Sequence, residues 1–256
     1  MEQKLILFDI DGTLLHNETN RIPKSTIQAI QQLKAAGHQL AIATGRSFLE
    51  VGEQVRNLPF EMFITANGQY IVCHGKTVYE GPILASTVQR LVDEAKQMGI
   101  ELGFVTPTKM GITNINKQME VGFNYFSMPI PEIIPTLYQE EAILQVWFFS
   151  ERFGELADKF KEELQFVPWV SSGADVLPVG ASKAEGIKRL IKHLEVEPQQ
   201  IIVFGDGHND IEMLKFADIG VVMGQAAEEV KKHADFITKP VDEEGIYYAC
   251  QQLNLF

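Results

Sequence analysis

Hydrophobic positions along this chain follow two rhythms. Short unbroken apolar runs, Leu5-Ile6-Leu7-Phe8 and Ile201-Ile202-Val203-Phe204 among them, end abruptly in glycine and acidic residues. Such runs predict strands buried on both faces, as in a parallel sheet. Elsewhere apolar residues recur three apart: Ile27, Ile30 and Leu33, between Lys24 and Ala36, predict a helix that stops at Gly37. A strand from Gln39 to Ala43 comes next and ends in Thr44-Gly45-Arg46. Ser47 is expected to cap a helix running to about Arg56, and Glu61 to Thr65 reads as a strand ending at Asn67-Gly68. The alternation βαβαβ predicts a parallel sheet with right-handed crossovers.

The pattern then changes. Gln69 to Cys73 and Lys76 to Glu80 flank His74-Gly75 and predict a hairpin, with Gly81-Pro82 as a break. From Ile83 to Pro178 the spacing predicts a helix (Ser86 to Met98) and strands at Glu101 to Val105, Ile112 to Ile115 and Val146 to Phe149. A helix from Arg152 to Leu164 and strands at Phe166 to Val170 and Asp175 to Leu177 complete this stretch. After Gly180 the first rhythm returns, with a helix from Ser182 to Leu194 and strands at Ile201 to Phe204, Ile219 to Met223 and Asp235 to Thr238. The expected fold class is therefore α/β: a doubly wound parallel-sheet, Rossmann-like core of residues 1–82 and 179–256, interrupted by an α+β domain of residues 83–178.

Composition narrows the function classes. Forty-five per cent hydrophobic residues in 256 suffice for a real core, and 22 basic against 34 acidic residues give a net charge of −12. That charge disfavours unspecific binding to nucleic acid or to an anionic membrane. Met1 leads straight into the first strand, which leaves no room for a signal peptide, and no apolar run is long enough to span a bilayer, so a cytoplasmic setting is expected. Cys73 and Cys250 each lie in an apolar context and read as core residues rather than a disulfide or zinc pair.

A parallel sheet delivers the C-terminal ends of its strands to one edge, where open α/β sheets hold ligands. The tails Asp9/Asp11, Thr44-Gly45 and Asp206/Asp210 are then expected to converge, with Lys183 on a helix nearby. Two carboxylates placed as Asp9 and Asp11 repel each other unless a cation, a shared proton or hydrogen-bond donors compensate. Carboxylates, a hydroxyl, glycine amides and an ammonium together suit phosphoryl transfer assisted by Mg²⁺. Each piece taken alone has an ordinary alternative: Asp11-Gly12 as a turn, Thr44-Gly45 as a strand-to-helix connection, Lys183 as a solvated lysine, Asn209-Asp210 as a helix cap.

These pieces, in this order, resemble the motifs of the haloacid dehalogenase-like hydrolase superfamily, and within it the Cof-type phosphatases that carry a type II cap. Asp9-Ile10-Asp11-Gly12-Thr13 resembles the first motif, Thr44-Gly45-Arg46 the second, Lys183 in Ser182-Lys183-Ala184-Glu185-Gly186-Ile187 the third, and Gly205-Asp206-Gly207-His208-Asn209-Asp210 the fourth. The resemblance implies that Asp9 is the nucleophile, forming an aspartyl-phosphate, and that Asp11 is the acid and base. It implies that Ile10, Thr44, Gly45, Lys183 and Asn209 bind phosphate. Mg²⁺ would be held by Asp9, the Asp11 carbonyl and Asp206, with Asp210 direct or through water. Arg46 would face substrate or brace the loop by pairing with an acid, and His208 would be a variable rim residue. Gln69 and Gln225 stand where the family usually has alanine and asparagine.

The implied function is hydrolysis of a small phosphorylated metabolite, a sugar phosphate, nucleotide or phosphorylated cofactor, by a monomer or homodimer. The alternatives are a phosphomutase of the same superfamily and a non-catalytic module phosphorylated on Asp9. The inserted domain is expected to close over the core and select substrate. Thr113, Asn114, Asn116, Lys117 and Asn124 are its polar candidates, and Phe123, Tyr125 and Phe126 are either a packing surface for substrate or part of the domain's own core.

Overall fold

The structure, a computed structural model, describes residues 2–125, 128–170, 173–195, 197 and 200–256. The chain forms two compact units: the segments up to Arg46, Val51–Tyr79 and Ser182–Phe256 make one, and Ser47–Glu50 with Glu80–Ala181 the other. In chain order the elements are β1 (Leu5–Phe8), α1 (Lys24–Ala35), β2 (Gln39–Ala43), α2 (Glu53–Arg56), β3 (Met62–Thr65), β4 (Tyr70–Cys73) and β5 (Lys76–Glu80). The second unit supplies α3 (Ala85–Met98), β6 (Glu101–Val105), β7 (Met110–Ile112), α4 (Lys117–Tyr125), α5 (Leu137–Glu140), β8 (Gln145–Phe149), α6 (Phe153–Phe160), β9 (Leu164–Val170) and β10 (Gly173–Pro178). The chain then returns with α7 (Lys183–Leu194), β11 (Ile201–Gly205), α8 (Ile211–Phe216), β12 (Ile219–Val222), α9 (Glu228–Lys231), β13 (Phe236–Ile237) and α10 (Gly245–Gln252).

The first unit is a sheet in the order β13-β12-β11-β1-β2-β3-β4-β5. Its strands run parallel from β13 to β3, and β4 turns back antiparallel on β3. The β1 sequence explains its central place. Ile6 and Phe8 face a layer that includes Ile30 and Leu33 of α1 and Ile246 of α10, while Leu5 and Leu7 face Ile187 and Leu190 of α7 and Leu214 of α8. An apolar side chain at every position is what a strand covered on both faces requires.

The second unit is an antiparallel sheet in the order β7-β6-β8-β10-β9. In β8, Val146 and Phe148 pack with Leu91 of α3 and Leu156 of α6, whereas Trp147 and Phe149 pack with Met119 and Phe123 of α4. Phe123 lies 5.4 Å from the Trp147 ring and 5.6 Å from that of Phe149, so it belongs to this core and is no free packing surface. Phe126 and the side chain of Tyr125 lie outside the described residues. Thr113 and Asn116 have structural duties: the Thr113 hydroxyl accepts from the Leu102 amide, and the Asn116 side chain accepts from the Met119 amide at the start of α4. Asn114, Lys117 and Asn124 are exposed.

Three expected elements differ. The helix from Ser47 to Arg56 is broken, because Ser47 and Glu50 close one short turn on each other and Gly52 is extended before α2. The strand expected at Ile112 to Ile115 comes earlier, at Met110–Ile112, since the Thr106 amide already bonds the Lys109 carbonyl across a tight turn. The helix expected to reach Leu164 ends at Phe160, and Leu164 opens β9.

Candidate active site

Asp9 sits one residue past β1, its amide donating to the Phe204 carbonyl of β11, and its side chain is buried. Lys183 opens α7 behind Ser182, whose hydroxyl caps the helix by accepting from the Glu185 amide. An ammonium at the positive end of a helix, buried at 1 % exposure, is doubly unfavourable unless anions face it. Two do. Lys183 Nζ donates to Asp9 Oδ1 at 2.7 Å and to Asp210 Oδ1 at 2.6 Å. Burial works against its charge, but the two carboxylates outweigh it and hold the lysine protonated above its ordinary range.

Asp210 is a framework residue as well as an anion. Its Oδ2 accepts from the amides of Asp206 and Gly207 at 2.9 and 2.8 Å, which shapes the loop after β11. Asp206 then lies across from the first loop: Thr13 donates to its Oδ1 at 3.2 Å, and a Cβ built on Gly12 would stand 2.1 Å from its Oδ2. Gly12, at φ +77°, is therefore required twice, by its backbone and by that close approach.

One ammonium does not balance three acids. Asp9, Asp206 and Asp210 each offer an oxygen within 4.8 Å of the others. Burial and the neighbouring carboxylates push Asp9 well above the usual carboxylate range, against the opposing pull of Lys183. Burial, then the Asp210 charge, push Asp206 up to about 7. An all-oxygen set short of positive charge fits a hard divalent cation such as Mg²⁺.

Asp11 faces Arg46. The guanidinium donates to both carboxylate oxygens, Nε to Oδ2 at 2.8 Å and Nη2 to Oδ1 at 2.6 Å, a planar two-point pairing. Of the two roles open to Arg46, the structure shows pairing with an acid. The Thr44 hydroxyl accepts from the Arg46 amide at 3.1 Å, so the turn after β2 holds its own side chain. The Ile10 side chain is in the core, and its carbonyl accepts from the amides of Leu14 and Leu15, which curls the loop after Asp9. Asn209 and His208 are exposed at the end of β11.

Three further polar groups join the site, Thr13 of the first motif and Gln225 and Asn67 outside the motifs. Thr13 holds Asp206, as above. Gln225 bridges two segments, donating to the Gly12 carbonyl at 2.5 Å and accepting from the Val241 amide at 3.0 Å. Asn67, buried at 3 % exposure, accepts from Asn209 Nδ2 at 3.5 Å. Asn67-Gly68 was visible only as a strand-ending turn, because the same dipeptide marks ordinary turns throughout proteins.

Known proteins match the chain over essentially its full length. A family profile described as haloacid dehalogenase-like hydrolase matches residues 6–250. YkrA of Bacillus subtilis (strain 168), provisionally named a phosphatase, is 37% identical over 256 residues, covering 100% of this chain and 99% of its own. A solved structure described as the HAD subclass IIB sugar phosphatase BT4131 is 32% identical with a TM-score of 0.89, over 99% of this chain and 100% of that one. Another, described as showing conservation of a trigonal-bipyramidal intermediate in a phosphoryl-transfer superfamily, is 32% identical with a TM-score of 0.90 and covers 100% of both chains.

Proposed function

The chain belongs to the haloacid dehalogenase-like hydrolases and is a phosphatase of that family, and from this premise we propose that it hydrolyses small phosphate monoesters through a phosphoryl group carried on Asp9. A carboxylate oxygen of Asp9 attacks phosphorus while the bond to the ester oxygen breaks, and Asp11 gives that oxygen its proton so that an alcohol departs. Asp11, now a carboxylate, takes a proton from water. The water oxygen attacks phosphorus, the bond to Asp9 breaks, and inorganic phosphate leaves with Asp9 restored. Thr44, the backbone at Ile10 and Gly45, Lys183 and Asn209 hold the phosphoryl oxygens and offset their charge. Asp9, the Asp11 carbonyl and Asp206 would hold Mg²⁺, with Asp210 direct or through water, and the bound ion would supply positive charge against the phosphoryl group.

The observation that carries this reading is the buried contact of Lys183 with both Asp9 and Asp210, which joins three motifs scattered along the chain within 2.7 Å. Residues 83–178 are assigned the selection of substrate, and sugar phosphates head the candidates because BT4131 is described as a sugar phosphatase. Among the described residues no helix is long and apolar enough to cross a membrane, and Cys73 and Cys250 are free and buried. Both support a cytoplasmic setting.

Phosphate release from a panel of sugar phosphates, nucleotides and cofactor phosphates, with Mg²⁺ and with excess chelator, tests the reading. Metal-dependent release is expected, and Asp9→Asn is expected to lose about a thousandfold or more of it while keeping its fold. Retained turnover in Asp9→Asn would sink the mechanism.

A further inference from the structure

Three consecutive residues after β3, Ala66, Asn67 and Gly68, have positive φ values of 48°, 50° and 90°. Glycine takes such a conformation freely. Alanine and asparagine hold it at a cost, and they persist there only where the surroundings fix the backbone. The surroundings are the turn after β2 on one side: the Ala66 amide donates to the Arg46 carbonyl at 2.8 Å and the Asn67 amide to the Thr44 carbonyl at 3.1 Å. On the other side is the start of α7, where a Cβ on Gly68 would come within 2.3 Å of the Ser182 carbonyl and 3.0 Å of the Gly186 nitrogen. The turn is wedged between the segment carrying Thr44 and the helix carrying Lys183.

Asn67 does more than complete this wedge. A turn that needed only left-handed backbone would be served best by glycine, as at position 68. Instead a carboxamide is buried, and its two terminal atoms lie 3.2 Å from where a Cβ of residue 45 would be. Its Oδ1 also accepts from Asn209 Nδ2. Gly45 and Asn209 lie in the loops that follow two different strands, β2 and β11, and both belong to the proposed phosphate-binding set. We infer that Asn67 is a positioning residue for phosphate binding: its carboxamide aligns the Asn209 side chain and lies flat against Gly45, leaving that backbone open to a phosphoryl oxygen. This rests on the function proposed above. It implies that one of the two Asn209 N–H groups is committed to Asn67 and the other is presented to substrate.

The test is a cycle of Asn67→Gly, Asn209→Ala and the double variant, read as kcat and KM for p-nitrophenyl phosphate with Mg²⁺, together with the melting temperature. Asn67→Gly keeps the left-handed backbone and removes only the carboxamide. It is expected to melt close to the wild type and to lose about 10–100-fold in kcat/KM, as a displaced binding group does. The double variant is expected to lose clearly less than the two single losses combined, because both variants break the Asn67–Asn209 contact. Additive losses, or a wild-type kcat/KM in Asn67→Gly, would overturn the inference. If Asn67→Gly fails to fold, Asn67→Asp, which keeps the shape and the acceptor but adds negative charge beside the phosphate, is expected to raise KM at least tenfold, and an unchanged KM would overturn it. Wild-type protein that releases no phosphate under these conditions overturns the parent reading and this inference together, an outcome distinct from active wild type with additive variants.

Discussion

Arg46 and Asp11 illustrate how much a single pair of residues can decide. Both oxygens of Asp11 accept from one guanidinium, which fixes the carboxyl group in one orientation. A sugar phosphate needs a proton on its leaving oxygen, whereas p-nitrophenolate leaves without one. Arg46→Ala is therefore expected to lower kcat on a sugar phosphate by about 10–100-fold and on p-nitrophenyl phosphate by about threefold or less. A loss on the sugar phosphate no larger than that on p-nitrophenyl phosphate would show that Arg46 does not act through the proton given to the leaving oxygen. The acids themselves were legible in the sequence, since Asp9, Asp11, Asp206 and Asp210 follow apolar runs that had to be parallel strands. The partner of Arg46 was not, because Asp11 is 35 residues away and only the register of β1 on β2 brings the two together. Asn67 and Gln225 were hidden for a related reason: their contacts are long-range and their residue types commonplace.

At the scale of elements, strands that are apolar at every position were recognisable and short turns were not. β1, β11 and α7 matched their expected bounds within a residue, the last because Ser182 is a genuine cap. The helix from Ser47 failed at Gly52, and α4, α8 and α10 were not foreseen. The close packing of the turn 66–68 on α7 makes its own prediction. Gly68→Ala adds a Cβ 2.3 Å from a backbone carbonyl at a φ of +90°, so neither a rotamer change nor a side-chain shift relieves it. A cost of roughly 2–4 kcal/mol is expected, a fall in melting temperature on the order of 10 °C. Unlike Asn67→Gly, it should weaken stability first and activity only with it. A melting temperature unchanged in Gly68→Ala would show that the wedge yields.

For the whole molecule, the acid cluster sets how stability responds to pH and metal. Asp206 titrates near 3.8 when unfolded and is pushed up to about 7 in the fold, and Asp9 moves the same way. The folded cluster thus binds protons more tightly than the unfolded chain, and without metal its contribution is lost as pH rises from about 4 to about 7. Mg²⁺, which needs the carboxylates ionised, should restore it most at the upper end. In chelator, wild type is expected to lose melting temperature between pH 5.5 and 8 relative to Asp206→Asn, and Mg²⁺ should raise the wild type more at pH 8. A larger Mg²⁺ effect at pH 5.5 would contradict this. The pairing of β1 with β11 reaches further, into the life of the chain before it is finished. Leu5 lies in register with Ile201, so the strand that leads into Asp9 lacks one of its two neighbours until residue 201 and those after it have been made. At about 5–20 residues per second, Asp9 leaves the ribosome on the order of 10–40 s before Asp206 and Asp210 follow. The inserted unit, whose strands all fall within residues 101–178, has its complete sheet to hand first. A nascent chain therefore holds the strands of the second unit before the loop that carries Asp206 and Asp210, and under the proposed mechanism phosphatase activity waits for residues 201–210.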